Sequence, residues 1–454
     1  MLHIEEQAVR NLLFQGRFGL EEESLRVTTE GYMAQTEHPF PDDPYIVKDF
    51  SENQTEINTP VADSAQEAVH LLNSNYERIQ QKLRGMPERE LLWPFSNPPY
   101  IRRDSDIPIA IFRGGDGEGT KYREYLAERY GKYKMTFSGI HVNYSFSREL
   151  LQVSYEIAGK KGQLPAAVHS FQDYVNQFYL ELAEKAAAFG WLLVALTAAS
   201  PIMDSSYFER GRFGVDQFVG MASVRCSELG YWNSFTPYFC YDSLEAYTGS
   251  IRQFVNSGLL AAARELYYPI RLKPPGKYSL EGLQEKGVDH IELRMFDLNP
   301  FVYGGVDCRD VEFAQLFLIW LAAKERIPLN MREQVEAAQN FKNAAHYDLK
   351  TVKITWMDGR LRSVASAGLA LLEEMQAFYA ESDGHIREIL AFQKSKFENA
   401  DNRYAWRFRR EYGEYFVAQG LKFAECLQQK ACEKAGTADP AGAEAAGGQT
   451  GRQR

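Results

Sequence analysis

The sequence predicts an α+β fold: a sheet with one acidic face, assembled from distant segments, followed by a largely helical C-terminal part. Two observations lead to it. Four stretches alternate acidic or polar with apolar residues at the period of a strand: 18–27 (FGLEEESLRV), 48–60 (KDFSENQTEINTP), 138–146 (SGIHVNYSF) and 290–301 (HIELRMFDLNPF). From residue 307 onward, helical spacing replaces that alternation. Successive strand residues point to opposite faces, so Glu21 and Glu23 share a face, as do His141, Asn143 and Ser145, and Glu292 and Arg294. Carboxylates gathered on one face repel each other, so such a sheet is a candidate platform for cations and a nucleotide.

Taken in order, residues 63–85 form the clearest helix. Ser64 and Glu67 make a capping box, Leu72, Tyr76, Ile79 and Leu83 follow at helical spacing, and Gly85 suits the stop. A strand-like segment is expected at 91–102, then a glycine-rich loop at 113–121 (RGGDGEGTK) and a short helix at 122–130. After the His141 strand, 165–196 reads as one long helix with Phe171, Tyr174, Phe178 and Leu182 on one side. Mixed segments lead to residue 305, and helices are expected at 310–324, 331–345, 369–393 and 406–431. The polar strands span 18–301, so residues 1–433 are read as one domain, with the sheet mainly in 15–305 and the helical part in 306–433. Residues 434–454 are rich in Ala and Gly, lack bulky apolar side chains and are expected to be a disordered tail.

The chain has 454 residues, 45% hydrophobic and 25% charged, the composition of a soluble globular protein. A net charge of −10 argues against nucleic acid as a partner. Cys226, Cys240, Cys308, Cys426 and Cys432 are odd in number and form no CxxC pair, which points to reduced thiols and a cytoplasmic protein. The N-terminal MLHIEEQAVRN has acids where a signal peptide would have a basic segment followed by an apolar run, so no signal peptide is expected in it. Residues 186–203 lack charge, but Gly190, Thr197, Ser200 and Pro201 favour a buried core helix over a membrane span.

The glycine-rich loop is not a P-loop, because Thr120 separates Gly119 from Lys121; a mobile loop beside a substrate pocket is the better reading. Glu21 and Glu23 alone would pass for the solvent face of an edge strand. The second stretch adds Asp49, Glu52 and Glu56 beside Val47, Phe50 and Ile57, and hard cations take such oxygen ligands. Glu292 and Arg294 read either as a surface ion pair or as a metal ligand beside a phosphate-binding arginine.

The stretches FGLEEESLRV, the DF…E…TP segment of 49–60, WPFSNPPYI, YREYLAERYG, SGIHVNYSF, ASP at 199–201, SVRCSELGY, ELYYPIR and IELRMFDLNPF, in this order over residues 15–310, resemble the bacterial glutamate–cysteine ligases. The resemblance implies a glutamine-synthetase-like fold: a curved, mostly antiparallel sheet whose carboxylate-lined concave face is surrounded by helices. It implies metal-ligand roles for Glu21, Glu23, Asp49, Glu56, His141 and Glu292, with Mg²⁺ or Mn²⁺ as the ion. Arg294 takes the place of a catalytic arginine at the ATP γ-phosphate, Tyr122, Tyr231 and Tyr267 those of residues lining the cysteine pocket, and Arg225 and Arg123 those of carboxylate-binding arginines. The implied substrates are L-glutamate, L-cysteine and ATP, with no nucleic-acid or membrane partner. The implied reaction gives γ-glutamylcysteine, ADP and phosphate, the first step of glutathione biosynthesis. The chain ends soon after residue 430 without the ATP-grasp domain that some relatives carry, so the second step is expected to be absent. Two alternatives stand beside this reading: a γ-glutamyl ligase of the same fold with another amine acceptor, and a catalytically silent relative.

Overall fold

The computed structural model describes residues 2–114, 117–209 and 215–437. Its strands, in chain order, are β1 (Gly16–Thr28), β2 (Ile46–Lys48), β3 (Gln54–Asn58), β4 (Glu90–Leu92), β5 (Ile140–Phe146), β6 (Ile202–Asp204), β7 (Asp216–Phe218), β8 (Ile270–Lys273), β9 (His290–Phe296), β10 (Lys353–Thr355) and β11 (Leu361–Ser363). Seven of them form one sheet in the order β2-β3-β1-β5-β9-β8, with β4 joined to the far end of β1, and every pairing is antiparallel. β6–β7 and β10–β11 are separate two-stranded ribbons.

β1 organises this sheet. Its first half pairs with β5, its middle with both β5 and β3, and its end with β4. The alternation expected from the sequence holds. Phe18 and Leu20 of β1, Ile57 of β3, Val142 and Tyr144 of β5 and Ile291 and Leu293 of β9 enter one large apolar core. That core also takes the helices Ala65–Arg84, Phe171–Phe189, Trp191–Thr197 and Cys308–Ala323. On β1 the opposite face turns apolar after Glu23: Leu25 and Val27 join a second cluster with Phe50, Trp93, Phe95 and Phe416. The acidic residues therefore lie between two apolar regions that fix the backbone on either side.

Arg26 pins the end of β1. Its side chain is fully buried and donates from Nη1 to Glu90 Oε2 at 2.5 Å and to Thr36 at 2.8 Å, and from Nη2 to the Glu52 carbonyl at 2.8 Å. The pair joins β1, β4 and the loop before β3.

Several expected elements differ in extent. The helix expected at 165–196 starts at Phe171, where the Ser170 side chain accepts from the Asp173 N–H, and breaks at Gly190. A Cβ on Gly190 would lie 2.6 Å from the Ala186 carbonyl and 2.7 Å from the Phe341 ring, so the break coincides with a close approach. The helix expected at 369–393 is two, Val364–Phe378 and Gly384–Glu398, the second capped by Asp383. The one expected at 406–431 is also two, Tyr404–Tyr412 and Phe416–Thr437, separated where Tyr415 adopts φ 57°. Periodicity survives a turn of three to five residues, which is why each pair reads as one helix. The strand expected at 91–102 ends at Leu92, before Pro94, Pro98 and Pro99 remove ladder donors. The helices Arg148–Lys160 and Leu244–Asn256 were not anticipated. Helix Phe416–Thr437 reaches into the expected tail; the rest of that tail, and residues 115–116 of the glycine-rich loop, lie outside the described residues. Among the described residues, no helix is long and apolar enough to cross a membrane.

Glu90→Ala would leave the Arg26 guanidinium buried without its anion. It should destabilise the protein by about 3–5 kcal/mol, read as a lower urea midpoint, whereas an exposed control such as Glu37→Ala should not.

Candidate functional site

Register brings the acidic residues together. Glu21 lies opposite His141 across β1–β5, Glu23 opposite Glu56 across β1–β3, and Asn143 opposite Glu292 across β5–β9. A bulge between Ile140 and Val142 interrupts the β5–β9 ladder beside His141. His141 Nδ1 is 2.8 Å from Glu21 Oε2 and 3.5 Å from Glu292 Oε1, and its Nε2 is 3.9 Å from Glu23. Glu21, His141 and Glu292 offer ligand atoms within 4.8 Å of one another. Asp49 follows β2, where Val47 pairs with Glu56, and so joins Glu23 and Glu56 at the other end of the patch.

The two ends of this patch differ in counter-charge. Arg294 Nη1 lies 2.9 Å and Arg271 Nη1 3.5 Å from the Glu292 carboxylate, while Lys273 Nζ lies 3.1 Å from Glu21 and 3.6 Å from Glu292. Burial raises Glu21, but the His141 hydrogen bond and the Lys273 charge outweigh it and hold the carboxyl well below its usual range. Burial is likewise outweighed at Glu292, where Arg294 and Lys273 bring the pKa to about 2. At the other end, burial and the Asp49 charge push Glu23 up to about 8. Burial and then Asp49, Glu21 and Glu23 raise Glu56, and burial raises Asp49 despite Arg123. Burial, then Arg294, lowers His141 to about 4, so it is neutral at pH 7. Arg225 Nη2 stands 3.4 Å from His141 Nε2; a guanidinium only donates, which puts the imidazole proton on Nδ1, toward Glu21.

Beside Arg294 opens a narrow cavity of about 40 Å³ lined by Arg225, Cys226, Tyr231, Trp232, Tyr267, Tyr268 and Met295 among others. Arg225 is buried and reaches this place because residue 139 has no side chain: a Cβ there would sit 2.3 Å from the guanidinium carbon. Gly230 is as tightly constrained, since its Cβ would meet the Arg225 carbonyl at 1.9 Å. Tyr231 and Tyr267 have ring centroids 4.2 Å apart and form one aromatic wall.

Of the residues singled out in the sequence, Glu21, Glu23, Asp49, Glu56, His141, Glu292 and Arg294 come together on one face, and Arg225, Tyr231 and Tyr267 line the adjoining cavity. Arg123 is linked to the patch, 3.8 Å from Asp49 and donating from Nε to the Asp49 carbonyl at 3.0 Å. Tyr122 is not among the cavity's lining residues; its ring carries the Arg264 guanidinium at 3.7 Å. Glu52 departs from the expected platform: Lys48 holds both of its oxygens at 2.9 Å, and the His38 and Ile111 N–H groups also donate to it. Sequence reasoning missed Arg271 and Lys273. Their signal was present, because Ile270–Lys273 alternates apolar and basic residues directly after the ELYYP stretch.

The donor set fits divalent cations. Carboxylates that raise one another's pKa are short of positive charge, and oxygen donors with one imidazole suit Mg²⁺ or Mn²⁺.

A family model described as "Glutamate-cysteine ligase" matches residues 1–258 and 252–344. The glutathione biosynthesis bifunctional protein GshAB of Listeria welshimeri is 34% identical, over 96% of this chain and 57% of its own length. GshAB of Pasteurella multocida is 35% identical over 74% of this chain and 44% of its own. The chain thus spans little more than half the length of the curated relatives it matches most fully. Among solved structures, a bifunctional glutathione synthetase from Pasteurella multocida superposes with a TM-score of 0.80 at 28% identity, covering 95% of this chain and 55% of that one. A glutamate–cysteine ligase (gshA) from Francisella tularensis in complex with AMP shares the fold, with a TM-score of 0.80 at 24% identity over 92% of this chain and 89% of that one. The α+β, glutamine-synthetase-like class expected from the resemblance is the fold present.

At pH 7 Glu23 holds a proton that an isolated carboxyl would have lost. A divalent cation needs the ionised oxygens, so adding Mn²⁺ should release protons, and its affinity should rise as pH rises toward about 8 and fall below it. Calorimetry in two buffers of different ionisation enthalpy reads the release. Binding without release at pH 7 would remove Glu23 from the ligand set.

Proposed function

The chain belongs to the glutamate–cysteine ligase family, and from that premise we propose that it joins the γ-carboxylate of L-glutamate to the amine of L-cysteine at the expense of ATP, giving γ-glutamylcysteine, ADP and phosphate. The observation that carries this reading is the convergence of Glu21, His141 and Glu292 within 4.8 Å beside Arg294, next to a cavity that contains Arg225 and an aromatic wall.

In this reading the glutamate γ-carboxylate attacks the γ-phosphorus of ATP, forming an acyl phosphate and releasing ADP. The cysteine amine then attacks the acyl carbon and expels phosphate. Arg294, held against Glu292, donates to the transferring phosphoryl group, where charge spreads over the equatorial oxygens. Arg225, buried and without a carboxylate partner within 4.0 Å among the described residues, receives a substrate carboxylate, and Arg123 is the second candidate for that role. Tyr231 and Tyr267 give the cysteine side chain an apolar wall and keep water from the acyl phosphate. Tyr122 acts from outside that wall, through Arg264. Mg²⁺ or Mn²⁺ held by Glu21, Glu23, Asp49, Glu56, His141 and Glu292 would offset the repulsion between the nucleotide phosphates and the incoming carboxylate. Residues 1–433 act as one catalytic unit, since sheet and C-terminal helices share a core from Leu2 to Phe397. The five free cysteines suit a reducing cytoplasm.

The test is ADP release by the purified chain with Mg-ATP and glutamate, comparing cysteine, 2-aminobutyrate, other amines and no amine, with the product identified by mass spectrometry. Cysteine should stimulate release most and yield γ-glutamylcysteine. Stimulation by a different amine alone would overturn the acceptor, and no release with any amine would overturn the ligase. Arg294→Met should lower kcat by about 100-fold or more while the fold, followed by circular dichroism, is kept. Glu292→Gln should abolish ADP formation; near-normal turnover would take that residue out of the site.

A further inference from the structure

The carboxylates with the tightest ligand geometry are also the ones whose charge is already answered. Both oxygens of Glu21 are engaged: Oε2 lies 2.8 Å from His141, and Oε1 accepts from Lys273 and Asn143, each at 3.1 Å. A second cation in contact with Glu21 and Glu292 would meet the Lys273 ammonium, 3.1 Å and 3.6 Å from those carboxylates. Of the two neighbouring cations, Arg271 is held from elsewhere, whereas the planar Arg294 guanidinium is fixed against Glu292 itself. Arg271 donates to the Leu266 carbonyl at 2.9 Å and faces the Tyr278 ring at 5.2 Å, and Arg294 is bound to Glu292 at 2.9 Å. Lys273 donates to Glu21 and has a flexible four-carbon stem. It ends β8, the outermost strand of the sheet, just before the Pro274–Pro275–Gly276 turn, so its ammonium stands at the rim of the acidic face.

We propose that Lys273 is a displaceable cation: it answers the charge of Glu21 and Glu292 in the nucleotide-free protein and moves its ammonium to a nucleotide phosphate when a divalent ion takes those carboxylates. The inference rests on the ligase reading above. It implies an order of filling. The Glu23–Asp49–Glu56 end, where among the described residues Arg123, 3.8 Å from Asp49, is the only lysine or arginine within 4.0 Å of a carboxylate, accepts a divalent ion in the free protein. The Glu21–His141–Glu292 end accepts one together with the nucleotide, because the phosphate gives the ammonium somewhere to go. Linkage makes the effect mutual, so the second ion and the nucleotide strengthen each other's binding.

Mn²⁺ binding to the whole chain, followed by the electron paramagnetic resonance signal of the free ion, tests this without turnover. Wild type should bind one ion in the absence of nucleotide and a second about tenfold more tightly once a non-hydrolysable ATP analogue is present. Lys273→Gln should bind the second ion about tenfold more tightly than wild type in the absence of nucleotide, and should bind the analogue more weakly. Lys273→Arg, which keeps the charge, should retain the wild-type order. Equal affinity for both ions in nucleotide-free wild type would overturn the proposal, whether or not the variants fold. So would an unchanged Mn²⁺ isotherm in a Lys273→Gln protein with a native thermal midpoint. Failure of the ligase reading shows separately, as absence of cysteine-stimulated ADP release by wild type.

Discussion

Carboxylates crowded on one sheet face push the strands apart, and here that repulsion is opposed mainly by the register of β1. Glu21 meets His141 and Glu23 meets Glu56 only because Phe18 and Leu20 are seated in the core on the other side. A slip of one residue would exchange the faces, burying glutamates in the apolar layer and lifting phenylalanine and leucine into the site. Three contacts hold the register. The Tyr144 ring lies over Gly16, so closely that a Cβ there would sit 2.2 Å from its hydroxyl. Leu25 and Val27 anchor the strand in the second apolar cluster, and Arg26 with Glu90 fixes its end.

The substrate side depends on a different buried charge. The Asp297 carboxylate, at the end of β9, accepts from the Ala199 N–H at 2.9 Å, the Ser200 hydroxyl at 2.7 Å and the Ser223 hydroxyl at 2.9 Å. It ties the strand that carries Glu292 and Arg294 to the 199–201 turn and to the loop that carries Arg225. The short ASP stretch, and Ser223 of SVRC beside Arg225, are thus read as positioning elements. Burial raises Asp297, and Arg225 works against that rise, so the same arginine that faces the cavity also supports its own scaffold.

Legibility followed the range of the interaction. Alternation is a property of adjacent residues, and it placed Glu21, Glu23, His141, Glu292 and Arg294 on site-facing positions before any fold was known. Caps are also local: Ser64 accepts from the Glu67 N–H where the sequence put the helix start. What could not be read was pairing across distance. Glu52 is an acid in the same stretch as Asp49, yet the His38 and Ile111 N–H groups, with Lys48, engage it away from the platform. Alternation over 270–273 marks Lys273 as a strand residue, but its meeting with Glu21, 252 positions away, is beyond any spacing rule. Helix breaks were hidden for a related reason: a short turn leaves the apolar period intact while a packing contact decides where the axis bends.

The unequal compensation of the two ends gives the face a direction. One end is matched by Arg271, Lys273 and Arg294, all contributed by β8 and β9, and the other, built by β1, β3 and the end of β2, is left with few cations and raised carboxyl pKa values. An anion approaching such a surface is attracted to the β8–β9 edge, where the cations stand, and meets little positive charge at the β2–β3 edge. Leaving Glu23, Asp49 and Glu56 short of positive charge costs stability, because buried carboxyls that crowd one another disfavour the ionised form. The same deficit strengthens the binding of cations, since whatever binds the folded face and not the unfolded chain adds to the stability of the fold. Core packing under β1 makes this arrangement tolerable: the backbone is held by apolar contacts on both sides of the patch, and the side chains facing the site are free to be badly matched until their ligands arrive.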